Sequence, residues 1–393
     1  MKSVLFVVLP ERGHIHPFLG AAEALRARGA RVSFYAPRDV SAILRPLGWS
    51  DLYAPEGAGA PAAEHRGQGF AELLADSQRL REWIRAMLVD AVEPSIAPLR
   101  EHLARARPDV VVIDPMAYFA AIAAHEAGVP WLGLSTSLNP CIRDDVESEL
   151  IATLRTLDAA RHALFRAHGM PDARFRVSDV LSPRGTFVLS TAELVGTALP
   201  NDGVPVHLVG AALPAQAATA RADEREAPLV YVSFGSQAYH QPARLRVVLE
   251  AARNLDARFV VAMGELASSS LAAEAPPNVS CVAFASQVAL LADARAAITH
   301  GGANSVHEAL AHGVPLLVSP ICNDQPHSAA LVAASGAGRV LDLATSTPAA
   351  LVKALRALVA PDSAERHAVA AIARSYRSAG GAQRIADLVL EAS

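Results

Sequence analysis

Long apolar runs, a concentrated positive charge and a usable set of cysteines are all missing from this 393-residue chain. No 18 consecutive residues stay predominantly apolar and uncharged, which argues against a helix built to cross the ~30 Å hydrocarbon core of a bilayer. Cys141, Cys281 and Cys322 are odd in number and far apart. They complete no disulfide framework and match no zinc-ligand spacing, so a reducing cytoplasm is the expected compartment. The formal net charge is −4 and the basic residues are scattered as single arginines, which leaves no electrostatic footprint for nucleic acid or an anionic membrane surface. Small molecules are the expected partners, and a monomer or weak dimer the expected state. The N-terminal run "SVLFVVL" is too short for a signal-peptide core and ends at Pro10-Glu11-Arg12. Neither half of the chain shows Gly-x-Gly-x-x-Gly after a strand, which weakens a nicotinamide-dehydrogenase reading.

What is present is ample core material: 52% hydrophobic against 19% charged residues, in a chain long enough for two domains. "SVLFVVL" is a continuous, β-branched-rich run, the pattern of a strand covered on both faces of a parallel sheet. A helix over 17–28 should follow, with Pro17 near its start and Gly29 as C-cap, and then the strand "ARVSFYA". The alternation continues through "DVVVID" and "VPWLGLS", and begins again at "LVYVSFG", "ARFVVAMG", "NVSCVAF", "AAITHGG" and "VPLLVSP". The expected fold is α/β, two tandem doubly wound Rossmann-like domains facing a central cleft. The expected boundaries are residues 1–212 for the N-terminal domain, 213–228 for a linker and 229–374 for the C-terminal domain. A C-terminal helix over 375–393 is expected to cross back to the first domain.

The segment 296–327, "AAITHGGANSVHEALAHGVPLLVSPICNDQPH", carries the most chemistry. A strand ends at His300, Gly301 and Gly302 allow a tight turn and close backbone approach, and Asn304 and Ser305 offer capping side chains to the helix "SVHEALAHG". Free amides and a positive dipole end make such a helix start an anion site suited to a diphosphate. Glu308 lies one turn beyond Asn304, where a carboxylate accepts hydrogen bonds from ribose hydroxyls. Asp324 and Gln325 follow the next strand and suit adjacent hydroxyls of a hexose. Together these groups suggest a nucleotide sugar.

With those residues in view, the segment resembles the signature of nucleotide-sugar-dependent glycosyltransferases of the two-domain GT-B type, in the family of plant and bacterial natural-product enzymes. The resemblance implies that His300, Asn304 and Ser305, with Gly302, hold the diphosphate, Glu308 the ribose, and Asp324 with Gln325 the transferred sugar. Upstream, "FASQVALL" resembles the start of the same signature, with Phe284 as the base-stacking aromatic and Gln287 near the ribose. Phe284 replaces the usual Trp of the plant form and Ala303 another Trp, so uracil and thymine both remain open. "SFGS" places Gly235 and Ser236 at the nucleotide cleft by the same resemblance.

"PERGHIHP" resembles the family's Pro-x-x-Gly-His-x-x-Pro loop, in which the first histidine is the catalytic base. The resemblance gives that role to His14, with Asp114 at the end of "DVVVID" as its acidic partner. His16 is assigned to loop structure. A metal reading of His14-x-His16 lacks further ligands, and Asp114 taken alone could simply cap the helix that follows it. There is no Asp-x-Asp pair, the divalent-metal clamp of the other main glycosyltransferase fold, so no metal and no cofactor is expected beyond a UDP-sugar or dTDP-sugar co-substrate. The function implied is inverting transfer of a hexose, glucose first, to a hydroxyl of a small, largely apolar acceptor such as a polyketide, macrolide or carotenoid. A nucleotide-sugar epimerase of the same fold and a non-catalytic nucleotide-binding partner protein are the alternatives. Phe70, Leu73, Leu74, Trp83, Ile84 and Met87 recur at helical spacing and read as core before they read as an acceptor pocket.

Overall fold

Apolar strands without alternation need cover on both faces, and the chain supplies it twice. The structure, a computed structural model, describes residues 1–59, 66–197, 199–201, 203–214 and 227–393. Most of the expected linker 213–228 lies outside the described residues.

The first sheet collects β1 (Ser3–Val7), β2 (Arg31–Tyr35), β3 (Leu52–Tyr53), β4 (Val110–Ile113) and β5 (Trp131–Ser135). A small antiparallel hairpin of β6 (Arg174–Arg176) and β7 (Asp179–Leu181) stands apart, and β8 (Thr186–Val188) and β9 (Val206–Leu208) complete the sheet in the order β3-β2-β1-β4-β5-β8-β9. The second sheet collects β10 (Leu229–Ser233), β11 (Arg258–Ala262), β12 (Val279–Val282), β13 (Ala294–Thr299), β14 (Leu316–Val318) and β15 (Gly338–Val340) in the order β12-β11-β10-β13-β14-β15. Every pairing within these two sheets is parallel.

Both faces of each sheet are buried. Val4 and Phe6 pack with Phe18, Leu25 and Phe34 on one face of the first sheet, and Leu5 and Val7 pack with Leu99, Leu103 and Ile122 on the other. Val230, Val232 and Ile298 face one layer of the second sheet, Tyr231, Ala297 and Leu316 the opposite one. After a reversal at Gly380, at φ 90, the last helix, Gly381–Ala392, brings Ile385, Ala386 and Val389 into the core of the first sheet. Among the described residues no helix is long and apolar enough to cross a membrane.

The topology fixes where chemistry gathers. Each sheet reverses its winding between its first and its fourth strand in chain order, β1 beside β4 and β10 beside β13. Ligands of doubly wound sheets bind outside the carboxyl ends of the strands at such reversals. His14 and Asp114 follow β1 and β4; Gly235 and His300 follow β10 and β13.

One boundary differs from the sequence expectation in a way that matters. The first helix runs Arg12–Ala27, so Pro17 lies inside it and His14 in its first turn. Proline has no N–H, so the residue four before it, Gly13, is left with a carbonyl that its helix does not use.

Candidate active site

Asp114 is fully buried just past β4, its backbone N–H bonded to the Val7 carbonyl at 2.9 Å. Its two oxygens do different work. Oδ1 accepts the Met116 N–H at 3.0 Å and closes the turn into the next helix, while Oδ2 lies 2.6 Å from His14 Nδ1. The helix that follows, Tyr118–Glu126, has Ala117 at its N-cap and no side-chain cap, so Asp114 closes the turn ahead of that helix without capping it, and it lies against His14. A carboxylate only accepts, so in the neutral ring Nδ1 carries the hydrogen and Nε2 keeps a lone pair. The His14 side chain is 23% exposed. Burial pushes its pKa down, but the Asp114 carboxylate, aided by Glu11 and Asp324, outweighs that and raises it to about 9.

Thr136, one residue beyond β5, adds a hydroxyl 3.1 Å from His14 Nδ1 and 3.4 Å from Asp114 Oδ2. Sequence reading missed it, since a threonine after a strand carries no distinguishing pattern.

Across the cleft, the helix Ala303–Ala311 starts from Gly302, with no side-chain cap. Asn304, expected to cap, instead sends its Nδ2 to the Gly13 carbonyl at 2.7 Å, the acceptor that Pro17 leaves open. His300 is gripped between two glycines. A Cβ at Gly235, where φ is +82, or at Gly302 would stand 2.6 Å from its ring, so both positions need glycine for the ring to sit there. Burial lowers the His300 pKa to about 4, so it offers a neutral hydrogen-bond donor rather than a charge. Ser236 is exposed beside this loop.

Gln287, Ser305 and Glu308 form one chain of contacts: Gln287 Nε2 donates to Glu308 Oε2 at 2.6 Å, and the Ser305 hydroxyl to Gln287 Oε1 at 3.4 Å. Burial raises Glu308 to about 7. Phe284 stands out from the surface at 68% exposure.

Past β14, Asp324 is half-buried with its pKa raised by burial, and close enough for its charge to act on His14. Gln325 turns its Oε1 onto the backbone N–H groups of Ile321 and Cys322, at 2.8 and 3.0 Å, so its oxygen shapes the loop.

The hydrophobic series at 70–87 divides. Ile84 and Met87 join the core of the first sheet, but Phe70 and Leu73 pack with Ala238, Ile321 and Cys322 from the second-sheet half. The neighbouring Gly67 N–H donates to the Gln237 carbonyl at 2.8 Å. These residues tie the two halves together. Among the described residues no group of three or more His, Cys, Asp or Glu is placed to hold a metal ion.

The chain is similar to known glycosyltransferases. Residues 210–372 match the family model described as UDP-glucoronosyl and UDP-glucosyl transferase. The chain is similar to the demethyllactenocin mycarosyltransferase of Streptomyces fradiae, with 26% identity over 99% of this chain and 86% of that protein. It is similar to the zeaxanthin glucosyltransferase of Pantoea ananas, with 25% identity over 99% of this chain and 95% of that protein. Among solved structures it resembles the glycotransferase of kitacinnamycin, with TM-score 0.77 and 26% identity, covering 100% of this chain and 99% of that one.

Proposed function

We propose that this chain, which is a nucleotide-sugar-dependent glycosyltransferase of the two-domain GT-B type, inverts the anomeric centre of a hexose donor with His14 as its base. His14 Nε2 takes the proton of an acceptor hydroxyl, the oxygen attacks C1 of the sugar, and the C1–oxygen bond to the diphosphate breaks. Asp114 holds the ring's tautomer and stabilises the imidazolium that forms. The nucleoside diphosphate leaves against the first turn of Ala303–Ala311, where backbone amides, neutral His300, Asn304 and Ser305 meet its charge. Gln287 and Glu308 take the ribose and Phe284 the base.

The observation that carries this reading is the single hydrogen bond from Asn304 Nδ2 to the Gly13 carbonyl, which sets the donor helix against the turn that bears His14. For the sugar, Asp324 offers a carboxylate between the two halves. A carboxylate desolvated against hydroxyls penalises a donor lacking one by about 1–3 kcal/mol, so a fully hydroxylated hexose, glucose first, is the proposed donor. The acceptor is a small, largely apolar natural product. Demethyllactenocin and zeaxanthin, the compounds in the names of two relatives, are the first acceptors to try.

The test is mass spectrometry of glycosides formed from competing UDP-glucose, dTDP-glucose and dTDP-6-deoxyhexose over a panel of macrolide, phenolic and carotenoid acceptors, with enzyme dialysed against EDTA. Glucoside should form without added metal, because the helix start and its donors neutralise the leaving group. Enzyme that is dead after chelation and restored by a divalent ion contradicts the leaving-group account. Preference for the deoxy donor contradicts the sugar assignment.

A further inference from the structure

A 68% exposed aromatic ring on a folded surface is open to a flat partner, and in this chain Phe284 already has one. The guanidinium of Arg12 stands over the ring, its carbon 5.4 Å from the centroid, within cation–π range. Arg12 comes from the opposite half: it is the first residue of the helix Arg12–Ala27, two positions before His14. Among the described residues no carboxylate pairs with it. The next residue, Gly13, is pinned by Asn304 through the carbonyl that Pro17 frees, so the backbone that delivers Arg12 is held against the donor helix.

We propose that Arg12 is a nucleobase-binding residue that closes over the base, so that a pyrimidine lies between the Phe284 ring and the Arg12 guanidinium. The inference rests on the reading of Phe284 as the base platform. An entering pyrimidine takes the guanidinium's place on Phe284 and presents its own outer face to it. One cation–π contact is lost, and a base–phenyl stack and a base–guanidinium stack are gained. Guanidinium suits this position because it is planar, always charged and weakly hydrated, so it stacks at low desolvation cost. Its place two residues before His14 lets an occupied base site settle the turn that carries the general base.

Calorimetric titration of the full chain with UDP, dTDP and inorganic pyrophosphate, without acceptor, tests this. Arg12→Ala should weaken UDP and dTDP by roughly five- to tenfold, the scale of a partly desolvated cation–π contact, and leave pyrophosphate unchanged. Arg12→Lys should recover part of the loss. In a Phe284→Ala background the added effect of Arg12→Ala should shrink, as for two groups gripping one ligand. Equal losses for UDP and pyrophosphate would make Arg12 a phosphate contact and overturn the inference, as would unchanged or tighter UDP binding in Arg12→Ala while Phe284→Ala weakens it. If Phe284→Ala also leaves UDP binding intact, the base-platform reading falls with it.

Discussion

Replacing His14 with alanine should lower turnover by roughly two to four orders of magnitude, the usual range for removal of a general base, while leaving UDP affinity close to that of the native chain. The two halves of this expectation come from different parts of the geometry. Nε2 is the group free to receive a proton, because Nδ1 is committed to Asp114 at 2.6 Å. The His300, Ser305 and Glu308 side chains lie on the other side of the cleft, and Asn304 reaches the first turn through the carbonyl of Gly13, not through the imidazole. A general-base reading thus predicts a fall in kcat with nucleotide binding preserved. Calorimetry with UDP beside a glycosylation assay separates the two, and a binding loss as large as the activity loss would move His14 into the donor site. Near-normal turnover would remove it from the chemistry.

Asp114→Asn should be almost as damaging, at roughly 10²- to 10⁴-fold in kcat, because an amide at this position can donate as well as accept and no longer fixes which nitrogen of His14 is bare. It carries a second signature. In the native chain the Asp114 carboxylate outweighs burial and raises the His14 pKa to about 9. Without that charge, burial is left to act, and the pKa should fall well below its native position. The base must be unprotonated to work, so native kcat/KM should climb with pH through neutrality and level off on the alkaline side. The variant's rising limb should move to lower pH, with a much lower plateau. The sign also applies to stability: a histidine whose pKa is raised on folding stabilises fully below its unfolded value near 6.5, and that contribution is lost as pH rises through about 9. A native profile flat from pH 6 to 9, or an unmoved limb in Asp114→Asn, would contradict the pair.

How much of this was readable in advance depended on whether the signal lay along the chain or across it. The strands were legible because β1, β4 and β10 carry nearly unbroken apolar runs that only a sheet covered on both faces satisfies. The clustering of His300, Asn304, Ser305 and Glu308 was legible because they share one strand–turn–helix. Their mutual contacts were not: nothing in the spacing of Gln287 and Glu308 says that an amide would donate to that carboxylate. The role of Pro17 was hidden because its consequence is a freed carbonyl at Gly13, filled by a side chain 291 positions away. Thr136 and Arg12 escaped because threonine after a strand and arginine at a helix start are ordinary. Their placement depends on β5 lying beside β4 and on the two sheets facing each other. Phe70 and Leu73 share helical spacing with Ile84 and Met87 yet pack on different halves, since periodicity marks a buried face without naming what covers it.

The most direct test of the central claim, one displacement at C1 driven by a single base, is the anomeric configuration of the first glycoside formed from α-linked UDP-glucose, read from the H1–H2 coupling in the NMR spectrum. A β-glucoside in the native chain is the expected result, with product formation lost in step with turnover in His14→Ala. An α-glucoside would require two displacements or a front-side mechanism and would contradict the account, because it leaves His14, held by Asp114, without the role assigned to it.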